Sequence, residues 1–414
     1  MRLAFGRGFL QAELRAKRIL PRRLAPPADE EAAVFRALER PVGTPPLAEI
    51  VRPGEKVAII VNDITRLSRT ELILPPVVAA LNRAGIRDAD ILVVFALGNH
   101  RRQTVEEQRR LIGEEMFRRL RTIEHDAHDE ANLVTLGQTS FGNVVQINRR
   151  VLEADRTVLT GAIIHHLIAG YSGGRKSLVP GVAGFRTTTY NHRMMLDPRC
   201  RSGVLDGNPA HEDMLEGCRM MAPDFLVNVV LTPAGKLARV FAGHYDLAHR
   251  EGCRAVDRML RVELSEPYDL VVASAGGHPL DIDLRQAHKG LENACRCLRP
   301  GGSILFYAEC PNGTGSRPLE EFLWRYEDEE AMERALREDF VVGGHKAYWL
   351  ARLGRRHDVH LVSSLDPALV RRCGFEPVPP EEHATRLRRL REKAGRGARV
   401  AAIPRAGFTL PVVS

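Results

Sequence analysis

The sequence is poor in aromatic residues and has no paired cysteines. Aromatic residues make up 6% of its 414 residues and are not interleaved with basic ones. Despite the net charge of +8, the chain therefore lacks the base-stacking pattern of a nucleic-acid-binding protein, and scattered arginines that attract small anions explain its charge. Seven cysteines without a CxxC pair predict reduced thiols rather than disulfides or a zinc site.

Long apolar segments are also missing. No run approaches the roughly 18 apolar residues that span a bilayer, which predicts a protein without a membrane segment. The N-terminal stretch is basic throughout, with neither an apolar block nor a small-residue cleavage site, so it does not resemble a secretory signal. We therefore expect a cytoplasmic protein, long enough for two or three domains.

Lysine is rare, since only seven of the 60 basic residues are lysines. In an arginine-rich chain, a retained lysine is a candidate for chemistry that needs an amine able to lose its proton. Lys176 and Lys289 lie in the two segments with the densest motifs, 165–192 and 276–290. The alternative is that either lysine persists by chance.

Apolar runs alternate with amphipathic segments along the whole chain, which indicates βαβ units and mostly parallel sheets. We predict an α/β fold of two α/β domains, residues 1–264 and 265–414, with mostly parallel sheets. Ser-Glu-Pro after a helix predicted at 247–260 marks the boundary. The other predicted elements are strands at 56–63, 90–98, 157–164, 268–277, 301–310, 358–365 and 398–407, and helices at 75–84, 104–121, 290–298 and 320–337.

Polar side chains follow three of the predicted strands. Asp63 and Arg66 come after the first strand, His100 after the second, and the block 165–192 after the third. Because the carboxyl ends of parallel strands share one edge of a sheet, these groups are expected to converge in one crevice. Each of them alone could equally be a solvated turn residue.

Residues 170–177, GYSGGRKS, resemble a phosphate-binding loop. Arg175 stands where that motif needs a second glycine, and no acidic strand end offers itself for magnesium, which argues against a nucleoside triphosphatase. A looser prediction is that the backbone N–H groups of Ser172, Gly173 and Gly174 bind an anion at a helix N-terminus. A cofactor bound at this turn would then carry a phosphate.

Gln286 and Lys289 are spaced to share one face of a helix in the second domain. An amide beside an ammonium group suits a substrate carboxylate. The alternative is an ordinary surface helix whose start is capped by Asp281 or Asp283.

Together, NDITR at 62–66, LGNH at 97–100, HLIAGYSGGRKSLVPGVAGF followed by YNH within 166–192, and PLDIDLRQAHKG at 279–290 resemble the nickel-pincer lactate racemase family. The resemblance covers residues 10–410. It implies a two-domain α/β enzyme with its active site in the cleft between the domains. Its nickel-containing pincer mononucleotide, made by separate cofactor-biosynthesis enzymes, would be covalently attached through a thioamide to Lys176. His192 would be the protein ligand of the metal.

The resemblance also implies how the substrate reacts. His100 and His166 would exchange the hydroxyl proton of a 2-hydroxy acid while hydride moves to the pincer and back, so that the acid is racemised or epimerised through a transient 2-keto acid. The implied substrate-binding residues are Arg66, Arg285, Gln286 and Lys289, and those implied near the cofactor are Asp63, Thr65, Ser172, Gly173, Gly174 and Trp349.

The sequence departs from the family at Arg285, where an aromatic residue is expected. A cation there predicts a larger substrate or one with a second carboxylate, such as malate, in preference to lactate.

Two other classes of function stay open. One is a mononuclear metal hydrolase that uses His100, His166 and His192 as zinc ligands. The other is a non-catalytic protein that binds a phosphorylated ligand.

Overall fold

The computed structural model describes residues 1–22 and 24–413, and the chain divides into two compact units. The first unit is Arg23–Arg258, and the second combines Met1–Arg22 with Met259–Ser414. Each unit contains a six-stranded, mostly parallel sheet, which confirms the predicted α/β class. The division differs from the predicted one because the first 22 residues join the C-terminal part.

The sheet of the first unit reverses its strand order at its centre. Val57–Asn62 pairs in parallel with Ile91–Ala96 on one side and with Arg156–Ala162 on the other. Such a reversal opens a crevice at the carboxyl ends of the two central strands, where α/β proteins bind ligands. The spatial order is Leu237–Gly243, Phe225–Leu231, Arg156–Ala162, Val57–Asn62, Ile91–Ala96 and Arg121–Glu124, and only the first strand is antiparallel to its neighbour.

The central strand is apolar on both faces because both are covered. Val57, Ile59 and Val61 pack into one hydrophobic core, whereas Ala58 and Ile60 pack into a second core on the opposite face. Alternate side chains of a strand point to opposite faces, so a continuous apolar run fits a sheet between two helical layers. The carboxyl end of this strand is thereby held rigidly.

The helices of the first unit deviate from prediction where glycine or a cap intervenes. Thr104 starts a helix with a capping box to Glu107, but Gly113, with φ of +83°, divides the helix predicted at 104–121 into two. The helices are Glu30–Glu39, Leu47–Ile50, Thr70–Arg83, Val105–Ile112, Glu114–Arg119, Arg149–Leu152, Phe185–Arg193, Pro209–Met221 and Leu247–Leu260. Single 3₁₀ turns lie at Asp88–Asp90, Glu130–Asn132, Gly174–Ser177 and Met194–Leu196. Two hairpins complete the unit: Leu133–Gln138 pairs with Val144–Asn148, and His165–His166 pairs with Gly170–Tyr171.

The first residues of the chain belong to the second unit because they pair with its sheet and pack into its core. Lys17–Arg18 pairs in parallel with Val400–Ile403 at the edge of its sheet, and Leu3 of an N-terminal hairpin is buried in its core. A two-residue strand of charged residues carries no apolar pattern, so its pairing is invisible in the sequence. The sheet order is Glu376–Val378, Asp358–Val362, Leu298–Tyr307, Tyr268–Ser274, Val400–Ile403 and Lys17–Arg18, all parallel; the hairpin is Arg2–Phe5 with Gly8–Gln11, and Arg261–Leu264 pairs with Leu410–Val413.

The helix predicted at 320–337 is also two helices, because Asp328 caps a new start. The helices of the second unit are Leu284–Cys295, Arg317–Arg325, Glu329–Glu338, Gly344–Arg356, Pro367–Arg372 and His383–Ala394, with 3₁₀ turns at Pro380–Glu382 and Ala406–Phe408. All seven cysteines are buried free thiols, as predicted. Within residues 1–22 and 24–413, no helix combines the length and apolar character needed to cross a membrane.

Candidate functional site

Asp63 and His100, which follow adjacent strands of the first unit, are hydrogen-bonded to each other. Oδ2 of Asp63 lies 2.6 Å from Nδ1 of His100. Oδ1 of Asp63 accepts from the hydroxyl of Thr65 at 2.5 Å and from its backbone N–H at 2.7 Å. Because an ionised carboxylate can only accept, Nδ1 of His100 carries the proton and Nε2 of the neutral ring has a lone pair. His100 is thus oriented as a general base.

Asp63 is only 3% exposed. Burial acts to raise the pKa of its carboxyl group, but the hydrogen bond from His100, the charges of His100 and Arg66 and the bond from Thr65 outweigh it and lower the pKa. The carboxylate therefore stays ionised at neutral pH. A carboxylate in this position can stabilise a positive charge on the His100 ring.

His166 is held in the opposite tautomer. Its Nδ1 lies 3.2 Å from the backbone N–H groups of both Ile168 and Ala169. Nδ1 must be unprotonated to accept these bonds, so the neutral ring carries its proton on Nε2. His100 thus offers a lone pair at Nε2, whereas His166 carries an N–H there.

Asp257 anchors the hairpin that bears His166, and the sequence analysis missed it. Nε2 of His165 lies 2.8 Å from Oδ1 of Asp257, and the Tyr171 hydroxyl lies 2.7 Å from both carboxylate oxygens. One carboxylate on the helix Leu247–Leu260 therefore holds both strands of the hairpin. Asp257 is 92 residues from His165, and no motif in the sequence announces the contact.

Lys176 lies in the 3₁₀ turn Gly174–Ser177, half-buried. Burial, followed by the charges of Arg175 and Arg66, lowers the pKa of its amine well below the usual value. More of the amine is then in the unprotonated, nucleophilic form at neutral pH than in an ordinary lysine. The backbone links this turn to the loop of His100, because Gly98 N–H donates to the Gly181 carbonyl and Gly181 N–H to the Lys176 carbonyl.

The glycine turn before Lys176 does not present the anion site that the sequence predicted. The N–H of Ser172 donates to the Ile164 carbonyl at 2.9 Å, and that of Gly174 donates to Oδ1 of Asn228 at 2.7 Å. Contrary to prediction, these two groups are not available to an anion in this conformation. The glycines serve packing instead, since a Cβ on Gly173, whose φ is +73°, would lie 2.5 Å from Oδ1 of Asn228.

Asn228 is a second residue that the sequence analysis missed, although a signal was present. It is fully buried in the middle of the otherwise apolar strand Phe225–Leu231. A polar side chain inside such a run needs a hydrogen-bond partner. A search for polar interruptions of apolar strands would have identified it.

His192 lies on the helix Phe185–Arg193, half-buried. Its Nδ1 donates to the Thr188 carbonyl at 2.9 Å, so Nε2 of the neutral ring carries the lone pair that a metal ligand needs. In the chain as described, no three His, Cys, Asp or Glu side chains are grouped to hold a metal ion. The three-histidine centre of the hydrolase alternative, built from His100 and His166 with His192, is therefore not formed.

Gln286 and Lys289 share one face of the helix Leu284–Cys295, as predicted. Nζ of Lys289 donates to Oε1 of Gln286 at 2.7 Å. Asp283 caps this helix by accepting from the Gln286 N–H at 2.7 Å, so the capping prediction holds as well. The bond places the Gln286 amide and the Lys289 ammonium side by side, an arrangement that suits an anion.

Trp349 belongs to the same neighbourhood. Its ring stacks on that of buried His288, with centroids 5.5 Å apart and an interplanar angle of 21°, and His288 precedes Lys289 in the helix. Burial and the charges of Lys346 and Lys289 lower the pKa of His288 well below its usual value, so the ring is neutral. Trp349 thus packs against the helix that carries Gln286 and Lys289.

Arg285 keeps much of its charge uncompensated. Its Nη2 lies 3.8 Å from Oδ2 of Asp283, the side chain is 39% exposed, and Nε is buried without a partner among the described residues. Its backbone N–H donates to the carbonyl of Thr314, which lines an open cavity of about 820 Å³. This cavity is not the predicted site, because its wall is formed by Asn312, Gly313, Thr314, Gly315, Ser316, Arg317, Glu320, Glu321, Trp324 and Arg325.

Comparisons with known proteins identify the family. A family model described as the lactate racemase N-terminal domain matches residues 5–203, and one described as the lactate racemase C-terminal domain matches 264–410. The lactate racemase of Thermoanaerobacterium thermosaccharolyticum is 32% identical over 340 residues, 81% of this chain and 79% of the relative. That of Lactiplantibacillus plantarum is 32% identical over 382 residues, 91% of this chain and 89% of the relative.

Solved structures of two other proteins resemble this chain. The lactate racemase apoprotein from Thermoanaerobacterium thermosaccharolyticum matches with a TM-score of 0.90 and 30% identity, covering 99% of both chains. A Thermotoga maritima protein shares the fold, with a TM-score of 0.68 and 17% identity over 95% of this chain and all of its own. Because the matches span nearly the whole chain, the protein belongs to the lactate racemase family.

Proposed function

We propose that the protein racemises or epimerises a 2-hydroxy acid. The observation that carries this proposal is the Asp63–His100 pair, a carboxylate-supported base that lies at the same sheet edge as the reactive amine of Lys176. The names of the relatives support it, since both are lactate racemases. Proton transfer at a hydroxyl group is the chemistry that such a pair performs.

The cofactor that we propose is a nickel-pincer mononucleotide, joined covalently to Lys176 through a thioamide and supplied by separate biosynthetic enzymes. The residues fit such a group, because the Lys176 amine is nucleophilic and the His192 imidazole is a ligand type suited to nickel. We propose Trp349 as a further cofactor-binding residue. When bound, the cofactor supplies an acceptor for hydride from the substrate carbon.

His100 and His166 have different starting roles in this proposal. His100 accepts the hydroxyl proton at Nε2, and Asp63 stabilises the resulting imidazolium. His166 starts with its proton on Nε2 and donates a hydrogen bond to a substrate oxygen. To accept a proton from the opposite enantiomer, its Nδ1 must first give up its bonds from Ile168 and Ala169.

The substrate carboxylate is bound by cations and an amide. Arg66 of the first unit and Gln286 and Lys289 of the second are the groups that we propose for it. Charge-assisted hydrogen bonds to a carboxylate orient the hydroxyl-bearing carbon as well as binding the acid.

The proposal is tested with protein produced alongside the cofactor-building enzymes. We expect chiral chromatography to show conversion of pure L-lactate or L-malate into both enantiomers, by protein that contains about one nickel per chain. The same preparation made without those enzymes is the control and should be inactive. Fully loaded protein that leaves every tested 2-hydroxy acid optically pure would overturn the proposal.

Arg285 is proposed to set the preference for a second carboxylate. Arg285→Tyr should lower the ratio of malate to lactate racemisation by about tenfold to a hundredfold, because one charge-assisted hydrogen bond contributes about 1.5–3 kcal/mol. Relative kcat/KM values for the two acids measure this ratio. Arg317→Tyr, which alters an exposed arginine paired with Glu321, is the control and should leave the ratio unchanged. An unchanged ratio in Arg285→Tyr would remove Arg285 from substrate selection.

A further inference from the structure

Arg175, the residue before Lys176, is a buried cation that has no counter-ion among the described residues. It is 1% exposed and has one of the largest fully buried side chains in the described chain. Its Nη2 donates to the Ala169 carbonyl at 2.6 Å and its Nη1 to the Gly173 carbonyl at 3.3 Å, whereas Nε is buried and has no partner within residues 1–22 and 24–413. An uncompensated charge in a protein interior is costly, so its presence calls for an explanation.

The groups around Arg175 do not neutralise it. Nη1 lies 3.2 Å from Nε2 of His249, but burial and the charge of Arg175 lower the pKa of His249 to about 3 and keep the ring uncharged. Burial raises the pKa of Cys253 above its usual value, so this thiol is neutral too. Asp246, the acidic residue that acts on Arg175 from a distance, is paired with Arg250 at 2.9 Å.

The place of Arg175 ties it to Lys176 in two ways. Its hydrogen bonds to the carbonyls of Gly173, in the glycine turn, and Ala169, before the strand Gly170–Tyr171, hold the segment that leads into Lys176. Its charge acts on the neighbouring amine through a dry interior, where electrostatic effects are stronger than in water. After burial, this charge is the largest influence on the pKa of Lys176. Arginine suits the task because it stays protonated, even though burial lowers its own pKa to about 10.

We propose that Arg175 is a positioning residue for Lys176, whose buried charge and bonds to the glycine turn keep the lysine amine reactive toward an acyl-type carbon. The role extends the proposed function, which identifies the natural acyl group as that of the nucleotide. The reactivity of the amine itself does not depend on that identity.

The test is competitive acetylation of the cofactor-free protein with trace acetic anhydride between pH 6 and 11. The unprotonated amine attacks a carbonyl carbon, acetate leaves, and the amine proton passes to water. Peptide mass spectrometry then gives a labelling midpoint for each lysine. We expect the Lys176 midpoint to lie below that of exposed Lys56 and to rise by about one pH unit in Arg175→Met, which lowers Lys176 labelling at pH 8 about tenfold.

Arg254→Met is the matched control, because Arg254 lies on the same helix as His249 but is exposed and paired with Glu251, and it should leave the midpoint unchanged. Arg175→Lys retains the charge and should show less than half of the rise. An equal rise in Arg175→Lys and Arg175→Met, or no rise in folded Arg175→Met, would overturn the role of the charge.

The wild-type protein alone keeps the proposal falsifiable if Arg175→Met does not fold. A Lys176 midpoint equal to that of Lys56 would show an ordinary amine and end the proposal. A depressed midpoint in protein that never acquires the nucleotide would leave Arg175 in its role and count against the proposed cofactor, so the two failures are distinguishable.

Discussion

Lys176→Arg should abolish the racemase activity, lowering kcat/KM more than about 10³-fold, as expected when a covalent attachment residue is lost. Arginine keeps the positive charge, but its guanidinium stays protonated and offers no nucleophilic amine. Intact-mass measurement should show no attached nucleotide, and chiral chromatography no racemisation.

Lys56→Arg is the control, because Lys56 precedes the strand Val57–Asn62 and so lies at the opposite end of it from Asp63. It should retain full activity and the mass increase. An active, nucleotide-bearing Lys176→Arg protein would show that the cofactor is held elsewhere.

Asp63→Asn should lower kcat by about 10²-fold to 10⁴-fold with little change in KM, the range expected for an impaired general base. The amide removes the negative charge beside Nδ1 of His100 and can also donate to that atom, which would place the ring proton on the catalytic Nε2. Steady-state racemisation of both enantiomers measures the loss. Asp90→Asn, which alters a carboxylate before the strand Ile91–Ala96 and paired with Arg87, is the matched control.

The same substitution should alter the acid dependence of stability. The pKa of Asp63 is lowered from its usual 3.8, so its ionised form stabilises the fold above that pH, and this contribution is lost as the pH falls through the lower folded value. Thermal unfolding of Asp63→Asn should therefore depend less steeply on pH below about 4.

The activity prediction would be contradicted if Asp63→Asn racemised its substrate as fast as the wild-type protein. That result would show that His100 does not need this carboxylate.

Much of the fold was predictable because it depends on local patterns. The strand Val57–Asn62 is a continuous apolar run, and runs of this kind indicate strands covered on both faces. Helix boundaries were less accurate where a single glycine or cap decides them, as Gly113 does. The place of the N-terminal strand Lys17–Arg18 could not be predicted, because it pairs through backbone hydrogen bonds with Val400–Ile403, a strand almost 400 residues further along the chain.

The candidate site was also predictable only in part. The contact of Asp63 with His100 was expected, because both residues follow parallel strands that end at one edge of a sheet. The glycine turn was expected to bind an anion, but two of its three N–H groups, those of Ser172 and Gly174, donate to Ile164 and Asn228 instead. Backbone donors cannot be assigned from sequence when their acceptors lie on distant strands.

The sequence by itself determined the α/β class, the family and the residue types that carry the chemistry, because periodicity, strand-end motifs and a rare lysine are all local features. Only the tertiary structure decided the tautomers of His100 and His166, the role of Asp257 as an anchor and the uncompensated burial of Arg175. Each of these depends on which groups the fold brings within hydrogen-bond distance and on how much water it excludes from them.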